Sequence, residues 1–421
     1  MHAALHDFLS YTNKLEGIHI KIRSIKTILG CVLMTAACTS SYMTLTNYLV
    51  PLSLMLNASV GEISLIFTYS GLAGLVCSLA LGKLIKLLKV RVLMTIAAVL
   101  CTVFHVCIYF ATSPGLLYAA SILFGVSTIL GGFGLCLAVV SWWAGKNAGK
   151  ATSLLSVGVG LVTTVAAPVV AGCIETYGPR NTALVQGLIC GGIMLFAAWF
   201  LVSEHPSNYS QEYAPETGEQ TDHALDGMAM KDILRTVPFW AVFLAIALFN
   251  LTISGFVNNA ASLYQTMGVD AVNAAFGISA YNIAQSLWAF AFGTAVDKYG
   301  PGLVVSVCAV VGAVTMVLAS MLSDMSGVLL VACMVASMSI GGNIGAVTYP
   351  KLFGSRETGT LVGLASAASS IGGMFGAPVA AFMYDASGSY DPYLYLATGI
   401  SLLCAFLIMF SAKRKPVLQQ K

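Results

Sequence analysis

The sequence predicts an all-α integral membrane protein with twelve transmembrane helices in two six-helix repeats. Composition is the first reason: 58% of the 421 residues are apolar, 9% are charged and the mean hydropathy is +0.86. A soluble globular chain carries about 25% charged residues. The second reason is where Lys and Arg fall. If the long apolar segments alternate across a membrane, 19 of the 20 basic residues lie on one side and only Arg180 lies opposite. Basic residues stay cytoplasmic during insertion, so the bias sets twelve spans with both termini inside. The third is an internal repeat. Ala167-Pro168-Val169-Val170-Ala171, followed by Glu175 and Gly178, recurs 210 residues later as Ala377-Pro378-Val379-Ala380-Ala381, followed by Asp385 and Gly388. Lys146 and Gly149 match Arg356 and Gly359 at the same offset. Two parallel six-helix repeats are a transporter architecture.

Residues 1–26 form a cytoplasmic N-terminal arm. It mixes Phe8, Leu9, Ile18, Ile20 and Ile22 with four basic residues, which fits either a short helix on the membrane surface or a frayed tail. The first apolar run, about Thr27 to Val50, can cross ~30 Å of hydrocarbon and is too long for a signal peptide. Spans are expected at 27–50, 61–82, 92–112, 114–141, 150–174, 181–203, 237–263, 273–296, 302–322, 327–349, 358–384 and 391–411. Most connections are short, so successive helices are antiparallel neighbours. The exception is 204–236, rich in Ser, Asn, Gln, Pro and acids, which is a linker composition. It divides an N-terminal half, 27–203, from a C-terminal half, 237–411, with a cytoplasmic tail at 412–421.

Several function classes are excluded. All eleven Cys fall in apolar spans and none forms a CxxC pair. They read as packing residues, with no disulfide framework and no metal site expected. Gly145-Lys146-Asn147-Ala148-Gly149-Lys150-Ala151 has one residue too few between its glycines for a phosphate loop and no Ser or Thr after Lys150. No His/Asp or Cys/His cluster lies at depth, so neither an enzyme nor a cofactor is expected. The net charge of +3 reflects asymmetry between faces and implies no nucleic-acid partner. The expected surroundings are the lipid bilayer of the plasma membrane, and the expected state is a multi-pass monomer. Asn57-Ala58-Ser59 is a glycosylation sequon on the outer side, meaningful only in a eukaryotic secretory context.

Gly293, Asp297, Lys298 and Gly300 follow the pattern G-x-x-x-D-[RK]-x-G between the eighth and ninth spans. With the repeat, these residues make the whole chain resemble the major facilitator superfamily. That resemblance implies the major facilitator fold and a conformational latch at these four positions. The N-terminal copy, Gly82 to Arg91, departs from the pattern, with Lys86 where Asp is expected and Lys89 where Gly is expected. Its basic residues read as topogenic charge. Three further motifs are similar to those of the monocarboxylate porters and oxalate/formate antiporters. They are Tyr42 to Leu52 followed by Ile66-Phe67-Thr68, Trp142-Trp143-x-Gly145-Lys146, and Tyr384-Asp385-x-x-Gly388-Ser389-Tyr390. The resemblance implies a small organic acid as substrate, moved by symport with protons or by exchange with a counter-substrate.

One observation opposes that substrate. No Asp, Glu, Lys or Arg falls deep within a span. Such residues cost about 2.5–3.5 kcal/mol at a helix centre and mark ion or substrate paths. The antiporters are expected to hold an Arg in the eighth helix; counting back from Gly293 reaches Ala289. The resemblance places the first, fourth, seventh and tenth helices around the cavity. The polar residues there and on the eighth are uncharged: Tyr42, Asn47, Asn258, Asn259, Tyr264, Tyr281, Asn282, Gln285, Trp288 and Asn343. Amides and phenols in hydrocarbon need partners, so these residues should face inward as a neutral substrate cage. Taken singly, each also reads as interhelical glue. For coupling or gating, the chain offers Glu175 and Asp385 at outer helix ends and His105 in the third span. Solvated carboxylates and a hydrogen-bonded structural imidazole are the plainer readings. Gly341-x-x-x-Gly345, Gly372-x-x-x-Gly376 and Gly187-x-x-x-Gly191 should allow close helix approach, and Pro168 and Pro378 should bend their helices.

The reading that follows is a secondary carrier working by alternating access, with a monocarboxylate-like organic acid as substrate. A carrier or exporter of neutral or amphipathic molecules is the alternative. A non-transporting receptor on the same fold, docking a partner through 204–236, is a further one.

Overall fold

The computed structural model describes residues 2–144, 148–204, 228–354 and 358–413, and all regular structure among them is helical. The middle of the linker, 205–227, and most of the tail lie outside the described residues. So do Gly145 and Lys146 of the Trp142 motif.

Among the described residues, nine helices are long and apolar enough to cross a bilayer. One of these, Leu154–Leu201, has 48 residues, about twice what a span needs. Inside it Gly178 takes φ 80° and ψ 162°, and Pro179 follows. A positive φ suits glycine, which has no Cβ. The fifth span ends and the sixth begins at this corner. The eighth span is Ala271–Tyr299, and the tenth combines Met325–Val335, a 3-10 segment Ala336–Asn343 and Ile344–Phe353. Twelve spans result.

The first helix runs unbroken from His2 to Met43, so the N-terminal arm is a helix continuous with the first span. That span then passes through a 3-10 segment, Thr44–Tyr48, into Leu49–Leu56. Asn57, at φ 49°, ends it. Ser59 and Glu62 then start the second span, Val60–Leu87, with a capping box: the hydroxyl and the carboxylate each satisfy a backbone N–H that a helix start leaves open.

Four spans are interrupted along their length by a break or a 3-10 segment. The first has its 3-10 turn, the fourth breaks between Pro114–Gly131 and Phe133–Ala144, the seventh between Val237–Asn258 and Ala260–Thr266, and the tenth has its 3-10 segment. These are the first and fourth spans of each repeat. Irregular backbone at membrane depth is tolerated where it lines a cavity.

The halves meet along two seams, the second span against the eleventh (Thr358–Ser387) and the fifth against the eighth. Each half has its own apolar core, but the repeated alanines cross over. Ala167 and Ala171 of the fifth span pack into the C-terminal core. Ala377 and Ala381 of the eleventh pack into the N-terminal core. Within each half, small residues bring backbones together. A Cβ on Gly372 or Gly376 would collide with the carbonyls of Ala247 or Leu251 in the seventh span. One on Gly187 or Gly191 would collide with His105 or Thr102 in the third.

Candidate functional site

A cavity of about 590 Å³ lies between the halves. The first, second, fourth, seventh, eighth and eleventh spans line it. Tyr42, Asn258 and Tyr281 stand at its head. Ser70, Ser78, Thr128, Ser366 and Ser370 supply hydroxyls from there toward the end that carries Lys83 and Lys298, the basic end. Among the described residues, no Asp, Glu, Lys or Arg lines it.

The polar groups at the head come from both halves. Tyr42 packs edge-on to Phe67, ring centroids 5.6 Å apart, and stacks on Phe124 at 6.2 Å. It lines the cavity together with Asn258 of the other half. The Asn258 amide donates to Ser254 Oγ at 2.9 Å, and Ser254 Oγ donates to the Gly373 carbonyl at 2.6 Å. Asn258 and Ser254 of the seventh span and Gly373 of the eleventh are thus linked, with Tyr42 of the first span facing them across the cavity.

The structure brings three of the ten residues read from sequence, Tyr42, Asn258 and Tyr281, to this cavity and places six others elsewhere. Asn47 and Asn259 hold helices together within each half. The Asn47 amide donates to the Ala167 carbonyl and the Asn259 amide to the Ala377 carbonyl, both at 3.0 Å. The two acceptors are repeat-equivalent. Tyr264 is buried in the C-terminal half, beside Phe256 and Gly277. The Asn282 amide donates to Ile278 of its own helix at 3.0 Å, next to Gly160 of the fifth span. Trp288 donates its indole N–H to the Cys333 carbonyl at 3.0 Å. Gln285 is half-buried and makes no hydrogen bond among the described residues. The side chain of Asn343 lies outside the described residues.

His105 is fully buried. It bridges Ser41 Oγ at 3.1 Å and the Cys101 carbonyl at 2.9 Å, all within the N-terminal half. Of the latch residues, Gly300 takes φ 83° at the junction of the eighth and ninth spans. Lys298 lies 5.1 Å over the Tyr299 ring. The side chain of Asp297 and the surroundings of Gly293 lie outside the described residues.

At the end opposite the basic end, the seams close over the cavity. Asp385 of the eleventh span accepts from the N–H groups of Val60 at 3.2 Å and Gly61 at 2.7 Å. A carboxylate at a helix N-terminus meets open N–H groups and the positive end of the dipole. Glu175 is exposed and borders a crevice of about 240 Å³ with Asn47, Gln265 and Ala271.

Sequence reading missed the hydroxyls that serve the two prolines. Pro168 and Pro378 lack an N–H, which releases the carbonyls four residues back, Thr164 and Met374. Ser279 of the eighth span donates to Thr164 at 2.5 Å, and Thr68 of the second donates to Met374 at 2.7 Å. Each released carbonyl is therefore satisfied from the opposite half. The available signal was that Thr68 and Ser279 are themselves repeat-mates, 211 residues apart.

A family model described as the Major Facilitator Superfamily matches residues 31–349 and 278–421. Among solved structures, a mutant of the nucleoside transporter NupG is similar at a TM-score of 0.75 and 15% identity, over 92% of this chain and 99% of that one. A bacterial homolog of the human lysosomal transporter Spinster, in an inward-facing and occupied conformation, is similar at a TM-score of 0.66 and 14% identity, over 92% of this chain and 94% of that one. No curated protein sequence matches the chain. The structural likenesses establish the fold, and the matched residues extend through both halves: the chain belongs to the Major Facilitator Superfamily, a family of membrane transporters.

Proposed function

We propose that this protein is a secondary carrier for a small, uncharged polar solute that offers a ring face and hydroxyl or amide groups. The carrying observation is the cavity lining. Tyr42, Asn258 and Tyr281 converge with several hydroxyls and no charged side chain. Aromatic walls take a planar ring, while an amide and hydroxyls take its polar edge. An uncharged solute leaves no buried charge unpaired there. The fold is shared with a nucleoside transporter, and nucleosides have this chemistry. With the basic end in the cytoplasm, the cavity belongs to an inward-facing state, closed outside by Asp385. Asn258 is the central binding residue in this reading, with Tyr42 and Tyr281 as walls. Asn47, Asn259, Tyr264, Asn282 and Trp288 act as supports.

A monocarboxylate is the second reading, favoured by the Tyr384-Asp385-x-x-Gly388-Ser389-Tyr390 motif and by the donors Asn258, Ser366 and Ser370. Flux into proteoliposomes separates the two. Nucleosides and other uncharged ring compounds are expected to enter and to raise the melting temperature of the carrier by binding its folded state. Asn258→Ala is expected to raise KM about tenfold, the loss of roughly one well-made hydrogen bond to the solute. Flux of lactate or formate with none of uncharged solutes establishes the second reading instead.

A further inference from the structure

We infer that the membrane-facing side of the first, fifth and sixth spans is a binding site for one anionic phospholipid, with its phosphate on Arg180 and an acyl chain between the helices. Two adjoining cavities point to it. The deeper one, about 530 Å³, lies between Leu33–Ser40, Val162–Tyr177 and Asn181–Ile193. Its walls are almost wholly apolar. Val169, Val185 and Ile189 are 56%, 54% and 56% exposed, so the crevice faces hydrocarbon and not the solute path. The second cavity is a polar bowl at the rim, lined by Arg180, Tyr109, Thr112 and Met55. Tyr177 and Asn181 border both, which makes one continuous amphipathic site.

The charge pattern selects the headgroup. In the topology read from the sequence, Arg180 is the one basic residue expected on its side of the membrane, against 19 on the other. Its guanidinium is held in place: Nη2 donates to the Ala111 carbonyl at 2.8 Å and Nε approaches Met55 Sδ at 3.2 Å. An Arg has five N–H donors, so at least three remain for a ligand. No carboxylate pairs with it among the described residues. Glu175 lies beyond the Gly178–Pro179 corner and borders the separate crevice with Gln265 and Ala271. A planar guanidinium suits a phosphate diester held by two parallel hydrogen bonds. The apolar crevice below it suits a chain and excludes a free anion.

Native mass spectrometry tests this on protein purified in detergent and incubated with equal phosphatidylglycerol and phosphatidylcholine. Wild type is expected to retain one phosphatidylglycerol in preference to phosphatidylcholine. Arg180→Gln should weaken that retention about tenfold, the effect of one charge-assisted hydrogen bond, and Arg180→Lys should lose less. Val185→Trp, or Ile189→Trp if the first does not fold, fills the crevice and should also abolish retention with Arg180 intact. The other 19 basic residues are unchanged in every variant, so the differences isolate this site. Equal retention by wild type and Arg180→Gln overturns the inference. So does full retention by the Trp variant, or displacement of the lipid by millimolar inorganic phosphate, because either shows an anion site without a chain site.

Discussion

The two corners that close the molecule opposite its basic end are repeat-mates, yet only one is latched. Where the second span meets the eleventh, Thr68 satisfies the carbonyl released by Pro378, and Asp385 then takes the N–H groups of Val60 and Gly61. Where the eighth meets the fifth, Ser279 does the same for Pro168, but Glu175 takes no hydrogen bond among the described residues. The reason lies at the helix starts. Ser59 accepts from Glu62 N–H, which leaves the first two N–H groups of the second span for the opposite half. The eighth span begins with Asp270, which accepts from the Asn273 N–H and places a negative charge where Glu175 would have to come. Gly61 lets Asp385 and Phe382 approach closely, whereas its repeat-mate is Val272. The proline clasps are therefore common to both seams, while the charged latch belongs to one. The seam between the second and eleventh spans is thus tied at two points and the other seam at one.

The largest effect expected from breaking this comparison is at Gly61. Gly61→Val copies the eighth span, drives a side chain into Phe382 and displaces the Asp385 carboxylate. Overpacking of this kind costs about 1–3 kcal/mol, and the latch is lost as well. Distances between labels on Ala58 and Ser387 should lengthen, with the population shifting toward a state open at this end. An unchanged distance distribution removes the latch from the mechanism.

Asp385→Ala comes next. It removes two hydrogen bonds from an exposed carboxylate, so solvent reduces their worth to about 1–2 kcal/mol. That still changes the ratio of closed to open carriers roughly tenfold. Asp385→Asn keeps the shape and loses the charge, so it should fall between Asp385→Ala and wild type in the same distance measurement. Equal behaviour of Asn and Asp would mean that geometry and not charge holds the corner.

The clasps should behave alike on both seams. Thr68→Val and Ser279→Ala each leave one proline-released carbonyl short of its donor, at about 1 kcal/mol. Both should lower the melting temperature by similar amounts, and the double variant by about their sum, since the sites are in different seams. A large inequality would show that the clasps share the asymmetry of the latch.

How much of this was legible follows from the same residues. The twelve spans and the repeat could be read because hydropathy and Lys/Arg placement are one-dimensional signals. So could Pro168 with Pro378 and Glu175 with Asp385, because their offset is constant. The cage could not be resolved to single residues. Asn258 and Asn259 are neighbours, about 100° apart on a helix, and one reaches the cavity while the other bonds the Ala377 carbonyl. Asn250, Ser254 and Asn258 share one face of this helix at i, i+4 and i+8, but Thr252 and Asn259 put polar groups elsewhere on it, so spacing alone does not fix that rotation. Tyr281 and Trp288 fall on one helical face by spacing, but a long indole can turn away, and Trp288 turns to Cys333. The hydroxyls of Thr68 and Ser279 looked ordinary, since Ser and Thr in a span usually bond their own helix.

Glu175 should give the smallest effect, and it is the sharpest test of the comparison. It is exposed, takes no partner among the described residues and borders a helix start that already carries the negative charge of Asp270. An exposed substitution of this kind changes stability by less than about 0.5 kcal/mol. Glu175→Gln should therefore leave flux, KM and the pH dependence of transport close to wild type. If Glu175→Gln instead abolishes proton-dependent uptake while Asp385→Asn spares it, the unpaired carboxylate is the one that exchanges protons. The asymmetry then divides the labour differently, with Asp385 holding the halves together and Glu175 left open to solvent because it must titrate.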